Sequence, residues 1–426
     1  MSVIHIQGLG GLKGAIEIQG SKNAVLPVMA ASLLHRGITV LRNVPKIQDV
    51  YSMMEILEYL GCELKLEGHS LTIDTGKASG MPIPVEMAGK MRSSIMLLGP
   101  MLGRFREAVT SLPGGCCLGK RPVNLHLEGL RKLGADIREE GAQIAASAAA
   151  LEGSDVHLDY PSVGATENLI MAAAAAIGVT ALTGAAREPE IEVLCDFLKA
   201  AGARIEGAGT ETIVIYGGSS LHDVEFAIPG DRIVAGTYLG AVMTAGGKVL
   251  LSGAPQEHME SNLKLASRMG AEISCSPEGI LVEMNRRPIP VSFATGPYPA
   301  FSTDLQPVMM AAAAVAEGKS HIRETVFENR FSCAKELRKL GAHIIIEGRN
   351  AQIEGRFPLS GGRVYAADLR GGAALVTAAL ASWQPVTVDD RCGHIQRGYE
   401  DICRDLQGAG AVSYTHLRAH ETPEHL

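Results

Sequence analysis

The run from Leu112 to Asn124, LPGGCCLGKRPVN, sets two adjacent thiols beside a lysine and an arginine. Gly114 and Gly115 precede the thiols, so the run reads as a glycine-hinged loop. Nearby cations lower a thiol pKa and fit it for proton exchange. Further cations stand where a helix should begin: Lys22 beside Asn23, Arg92 beside Ser93, and Arg370 close to Asp368. Helix N-termini carry unpaired N–H groups and partial positive charge, so Lys or Arg there works against the dipole unless an anion satisfies both. N-capping would explain Thr166, Thr303, Asp304 and Asp368, but not the three cations. Arg330 and Arg397 lie on loops after later strands. The chemistry this implies is capture of a polyanion by Lys22, Arg92, Arg121, Arg330, Arg370 and Arg397, with a thiol nearby and Asp304 as a base.

Composition narrows the class. The 426 residues are 46% hydrophobic and 20% charged, with net charge −7, which suits a globular protein of two or three domains and gives no basic footprint for nucleic acid. There is no P-loop and no G-x-G-x-x-G after a strand, so neither ATP hydrolysis nor a dinucleotide is indicated. None of the eight cysteines is spaced C-x-x-C, and eight in a chain this long are no disulfide framework. Reduced thiols in the cytoplasm are expected. The start, MSVIHIQG, lacks a signal-peptide pattern. The uncharged run from Leu169 to Ala186 approaches a membrane span in length, but its alanines, threonines and glycines read as a buried helix followed by a strand.

The elements that must position these residues repeat. Gly61, Gly134, Gly202, Gly270, Gly341 and Gly410 each close an amphipathic helix and lie about seventy residues apart. A left-handed helix C-cap is the expected role of each. Out of phase with them run six apolar, mostly alanine-rich stretches, from AVLPVMAASLL to AALVTAALASW, each followed by a strand. Their apolar residues leave no wide polar face, so these six helices should be buried. Six such α/β units suggest two bodies of three units, with helices at the centre and the functional residues at one end, facing a shared cleft.

GSKNAVLP, KMRSSI, LPGGCCLGKRPVNLHLEGL, SVGATENL, REPEIEVL, PYPAFSTDLQP, VFENRF, ADLRGGAALV and IQRGYE together resemble the UDP-N-acetylglucosamine 1-carboxyvinyltransferases, from residue 1 to about residue 411. The resemblance implies a two-domain inside-out α/β barrel. Residues 1–21 with 230–411 would form one domain, and residues 22–229 the domain carrying the Cys116 loop. It also implies transfer of the enolpyruvyl group of phosphoenolpyruvate to the 3′-hydroxyl of UDP-N-acetylglucosamine through a phospholactoyl ketal, in the cytoplasm, without metal or cofactor. Lys22, Arg121 and Arg397 match phosphoenolpyruvate-binding positions. Cys116 matches the loop acid, and Asp304 the base toward the sugar hydroxyl. Asn23, Arg121, Pro122, Val123, Asn124, Leu125, Val163, Gly164 and Val326 match nucleotide-sugar contacts. Arg92, Arg330, Asp368 and Arg370 match residues around the phosphate and the loop. Cys117 would be a small filler and the other six cysteines buried packing residues.

There are departures. Asn124 stands where the family commonly has aspartate, Tyr160 where it has lysine, and Val234 where an acid is frequent. After Gly410 the repeat calls for a strand, whereas VSYTHLRAHETPEHL shows no strand pattern and resembles translated adapter sequence, so residues 412–426 read as a non-native tail. Three other readings are carried forward. The first, 5-enolpyruvylshikimate-3-phosphate synthase, lacks the loop cysteine. The others are a non-catalytic nucleotide-sugar-binding paralogue and a transferase with another nucleoside acceptor.

Overall fold

The computed structural model describes residues 2–112 and 123–417. Within them the chain divides into two compact units, residues 2–19 with 230–417, and residues 20–112 with 123–229. Cys116, Cys117, Arg121 and Pro122 lie outside the described residues.

The first unit is built on three buried helices: Arg232–Ala245, Gln306–Ala313 and Leu369–Ala379. The second is built on Lys22–Ala31, Leu98–Phe105 and Val163–Ala175. Small residues let these helices approach closely. A Cβ on Gly236 would stand 2.3 Å from Leu305 Cδ1, and one on Gly99 would stand 2.4 Å from the Asn168 carbonyl oxygen. Larger residues would force the helices apart.

Each set of helices is wrapped by three sheets. In five of the sheets the strand that follows a buried helix pairs antiparallel with the second strand of a hairpin, as Gly247–Ser252 does with Gly279–Met284, while in the sixth Val386–Asp390 pairs antiparallel with Ser2–Gln7. Two strands belong to one unit while the helix after them belongs to the other. Leu12–Glu17 pairs in parallel with Gly247–Ser252, and Val224–Ala227 pairs in parallel with Ile38–Arg42. The chain therefore changes unit just after Gln19 and just after Pro229. The six repeat glycines all adopt positive φ, between 85° and 109°, as the helix C-cap reading requires. The uncharged run is a buried helix ending at Ala175 and a strand at Val179–Thr183. No helix among the described residues is long and apolar enough to cross a membrane.

Two expectations are corrected. The segment after Gly410 does form a strand: Val412–Leu417 pairs antiparallel with Ser2–Gln7, from Ser2 opposite Leu417 to Gln7 opposite Val412. The pairing uses backbone groups, which any sequence supplies at an open sheet edge. The side chains then need to do little. Ser413 faces inward and its hydroxyl donates to the Cys403 carbonyl at 3.1 Å, while Tyr414 stacks on His5 at 4.9 Å. The second correction concerns the cysteines. Cys62, Cys195, Cys333 and Cys403 are buried, but Cys275 and Cys392 are exposed. Cys275 lies in a largely exposed strand and Cys392 in a turn. Burial pushes the Cys62 thiol to about 11 and the Cys195 and Cys333 thiols to about 12, so these three are inert packing groups.

Deleting residues 412–426 should uncover the edge of Ser2–Gln7. Thermal unfolding of the shortened chain should show a lower Tm, by roughly 2–4 °C for each kcal/mol of lost pairing. An unchanged Tm would show that this strand contributes nothing to stability.

Candidate active site

In the first unit the helix starts converge on one carboxylate. Asp304 lies in the short turn Thr303–Leu305 that leads into Gln306–Ala313. Arg330 donates from Nη2 to Asp304 Oδ1 at 2.6 Å, and Arg370 donates from Nε to Oδ2 at 3.1 Å. The Arg330 and Arg370 side chains are 1% and 4% exposed, yet the Asp304 side chain is 27% exposed. A buried pair of guanidiniums thus presents a carboxylate to solvent. Burial works against the Arg370 charge, and neighbouring anions, Asp304 foremost, outweigh it, so its pKa lies above the ordinary arginine value.

Other side chains fix the surroundings. Arg330 Nε donates to the Thr303 carbonyl at 2.9 Å. The buried Glu324 carboxylate accepts from the Thr303 hydroxyl at 3.0 Å and from the Val326 and Phe327 N–H groups at 2.8 and 3.0 Å, which sets the turn that presents Val326. Asp368 caps its helix, accepting from Gly371 N–H at 2.9 Å and from the Ser332 hydroxyl at 2.8 Å. Arg397 ends the turn Ile395–Arg397. The Asp390 carboxylate holds the start of that turn through His394 and Ile395 N–H at 2.7 and 2.9 Å.

The capping expectation holds for Asp368 and fails for three residues. The caps are Ser302, not Thr303 or Asp304, and Ser162, not Thr166. The Thr166 hydroxyl instead accepts from Ala186 N–H at 3.0 Å. In both cases a serine one to four residues earlier takes the cap and leaves Thr166, Thr303 and Asp304 inside the helix or turn.

The second unit holds the remaining described candidates. Lys22 opens its helix, and its Nζ lies 3.2 Å from Asp49 Oδ2; Asn23 follows it. Arg92 opens the turn Arg92–Leu97. Val163 and Gly164 form the first turn of the helix capped by Ser162, and Val123, Asn124 and Leu125 lead into the helix Asn124–Lys132. His126 joins these segments: a Cβ on Gly164 would meet its ring at 3.3 Å. Asn168 ties them to the Arg92 turn, contacting His126 Nδ1 at 3.1 Å, donating to the Ile95 carbonyl at 3.1 Å and accepting from Gly99 N–H at 2.7 Å. Burial, helped by Arg92, pushes His126 down to about 3, so its ring is neutral and Nδ1 accepts from Asn168.

Sequence reasoning missed Glu324, Asp390 and Asn168 as supports. Only Asn168 stood within a quoted motif, and nothing in its spacing shows what it bonds. The second unit also buries Glu167, and neither of its carboxyl oxygens has a hydrogen-bond partner among the described residues. Burial, with Glu190 and Glu188 close by, holds its pKa well above the ordinary glutamate value of 4.5.

With this geometry in place, comparison with known proteins defines a class. A sequence profile of EPSP synthase (3-phosphoshikimate 1-carboxyvinyltransferase) matches residues 6–406. A solved enolpyruvyl transferase, NikO from Streptomyces tendae, superposes with a TM-score of 0.88 at 26% identity, covering 97% of this chain and 98% of that one. EPSP synthase from Acinetobacter baumannii superposes at 0.76 with 19% identity, covering 98% of this chain and all of that one, and so shares the fold. UDP-N-acetylglucosamine 1-carboxyvinyltransferase 2 of Caldanaerobacter subterraneus is 44% identical over 412 residues, 96% of this chain and 99% of its own. The chain belongs to the UDP-N-acetylglucosamine 1-carboxyvinyltransferase family of enolpyruvyl transferases.

Glu167 generates a pH prediction. Its folded-state pKa is raised, so between 4.5 and that higher value unfolding releases a proton, and stability falls as pH rises. Glu167→Gln removes this penalty. The Tm gain of E167Q over the parent should be larger at pH 8 than at pH 5; an equal difference at both would show that Glu167 is not held neutral.

Proposed function

We propose that this chain transfers the enolpyruvyl group of phosphoenolpyruvate to the 3′-hydroxyl of UDP-N-acetylglucosamine and releases phosphate, the first committed step of peptidoglycan synthesis, in the cytoplasm. The observation that carries the reading of the site is the Asp304 carboxylate, held on both oxygens by buried guanidiniums and still open to solvent. Such a group can take a proton from a hydroxyl without moving, because its supports are already in place.

The steps balance as an addition followed by an elimination. Asp304 accepts the 3′-hydroxyl proton as that oxygen bonds to C2 of phosphoenolpyruvate. The Cys116 thiol delivers a proton to C3, which becomes a methyl group. The product of this step is a phospholactoyl ketal. Loss of one methyl proton then restores the double bond as the C2–O bond to phosphate breaks. Lys22, Arg121 and Arg397 bind the phosphoenolpyruvate anion. Asn23, Arg121, Pro122, Val123, Asn124, Leu125, Val163, Gly164 and Val326 contact the nucleotide sugar. Arg92, Arg330, Asp368 and Arg370 lie around the phosphate and the loop, Arg330 and Arg370 acting through their hold on Asp304. No metal or organic cofactor enters the scheme.

Six buried helices and six surrounding sheets in two units support reading the architecture as the inside-out α/β barrel, with residues 1–21 and 230–411 in one domain and 22–229 in the other. Residues 412–426 are read as non-native by their resemblance to translated adapter sequence; a genomic reading frame that encodes SYTHLRAHET would overturn that reading.

The test is phosphate release from phosphoenolpyruvate, with UDP-N-acetylglucosamine and with shikimate 3-phosphate in parallel. Release is expected with the sugar nucleotide alone, and release with shikimate 3-phosphate alone would overturn the assignment. Cys116→Ser should lower kcat by about 10²-fold or more while sugar-nucleotide binding is kept. Full activity in C116S would remove the thiol from the mechanism.

A further inference from the structure

We propose that Tyr399 is a positioning residue, whose hydroxyl locks the Arg370–Asp304 pair and the Arg397 turn to the helix Arg232–Ala245. The inference rests on the roles given to Asp304 and Arg397 in the proposed function.

Tyr399 lies two residues beyond Arg397 and is 1% exposed. Its hydroxyl stands 2.8 Å from the Thr237 hydroxyl and 3.3 Å from Arg370 Nη1. The direction of these bonds follows from what each group can do. Arginine only donates, so the phenol oxygen accepts from Arg370. The Thr237 hydroxyl gives its own proton to the Ile233 carbonyl at 2.8 Å. Thr237 must therefore accept from Tyr399. The chain runs one way, from Arg370 to Tyr399 to Thr237 to the backbone of the helix. Every hydroxyl proton in it is committed, so the phenol cannot rotate away without leaving a buried group unpaired.

The backbone around Tyr399 is held with equal care. Gln19 donates to the Gly398 carbonyl at 3.3 Å and accepts from Glu400 N–H at 2.9 Å. Tyr399 N–H donates to the Ile395 carbonyl at 3.1 Å, and Arg397 N–H to that of His394 at 3.2 Å. A Cβ on Gly398 would stand 2.8 Å from Leu369, so the turn lies directly against the start of the helix that carries Arg370. One side chain thus links the turn that presents Arg397, proposed to bind phosphoenolpyruvate, to the guanidinium that holds the base.

Arg370 has no slack to absorb the loss of this contact. Its Nη2 is buried without a partner among the described residues. Without the phenol oxygen, Nη1 would join it. The groups that bear on this guanidinium are Asp304, Tyr399 and Asp231, with Arg330 on the far side of the Asp304 carboxylate. The guanidinium would turn toward the nearest remaining acceptor, Asp304, and draw the carboxylate off its line. Displacement of a reacting group by about 1 Å costs on the order of 10²-fold in rate.

The experiment compares Tyr399→Phe and Thr237→Val with the parent chain, by phosphate release from phosphoenolpyruvate and UDP-N-acetylglucosamine. Rates are taken per folded molecule, well below the Tm of each variant. Y399F should lose about tenfold or more in kcat with the KM for the sugar nucleotide changed less than about twofold, and T237V should show a smaller loss in the same direction. A Y399F variant with a lowered Tm but full kcat per folded molecule would make Tyr399 merely structural and overturn the proposal. If Y399F does not fold, T237V decides: full kcat in T237V overturns the proposal as well. Asp304→Asn in the same assay separates this failure from failure of the underlying reading. An active D304N removes the base and the proposal with it; an inactive D304N beside a fully active Y399F removes only the proposal.

Discussion

Each unit buries three helices that are apolar all round, and a buried helix start leaves N–H groups with no water to satisfy them. Polar side chains must therefore enter the core at that end. Asp231 accepts from Ile233 and Val234 N–H, Asp368 from Gly371, Ser302 from Asp304 and Ser162 from Ala165. The carboxylates brought there need counter-charges of their own. Arg330 and Arg370 meet Asp304, and Arg370 in turn needs the Tyr399 oxygen. The chemistry of the first unit is thus an outgrowth of its packing: the polar groups that make central helices tolerable are the groups available to handle a substrate.

Burial also decides how firmly those groups are held. Removing one partner from a buried ion pair costs about 3–5 kcal/mol, whereas an exposed pair contributes about 0–1 kcal/mol. The Asp304 clamp has two nearly inaccessible guanidiniums and belongs to the first class. Pairs such as Lys65–Glu67, with side chains 68% and 70% exposed, belong to the second. A carboxylate with fixed supports and an open face loses little by reorganisation when a proton arrives.

Much of this was legible in the sequence because it has a period or a steric requirement. The six glycines announce left-handed caps, and the alanine-rich runs announce helices buried on all sides. Lys22, Arg92 and Arg370 stand out because a cation at a helix start works against the dipole. What supports them was not legible. Tyr399 and Gln19 act across long stretches of chain, and Glu324 and Asp390, which hold nearby backbone N–H groups, have the same spelling as carboxylates on the surface. Thr303 and Thr166 read as caps because the residue type suits the role, yet an earlier serine, Ser302 or Ser162, takes it in each case. The strand Val412–Leu417 escaped because its main requirement is an open edge beside it, which a side-chain pattern does not report.

The central claim, an addition that protonates C3 of phosphoenolpyruvate followed by an elimination that deprotonates it, is tested most directly by running the reaction in deuterium oxide. The proton delivered to C3 then comes from solvent, and the methyl group of the intermediate carries deuterium when one hydrogen leaves. Mass spectrometry of the enolpyruvyl sugar nucleotide should show deuterium in the vinyl group. A product formed at full rate with an unlabelled vinyl group would contradict the account.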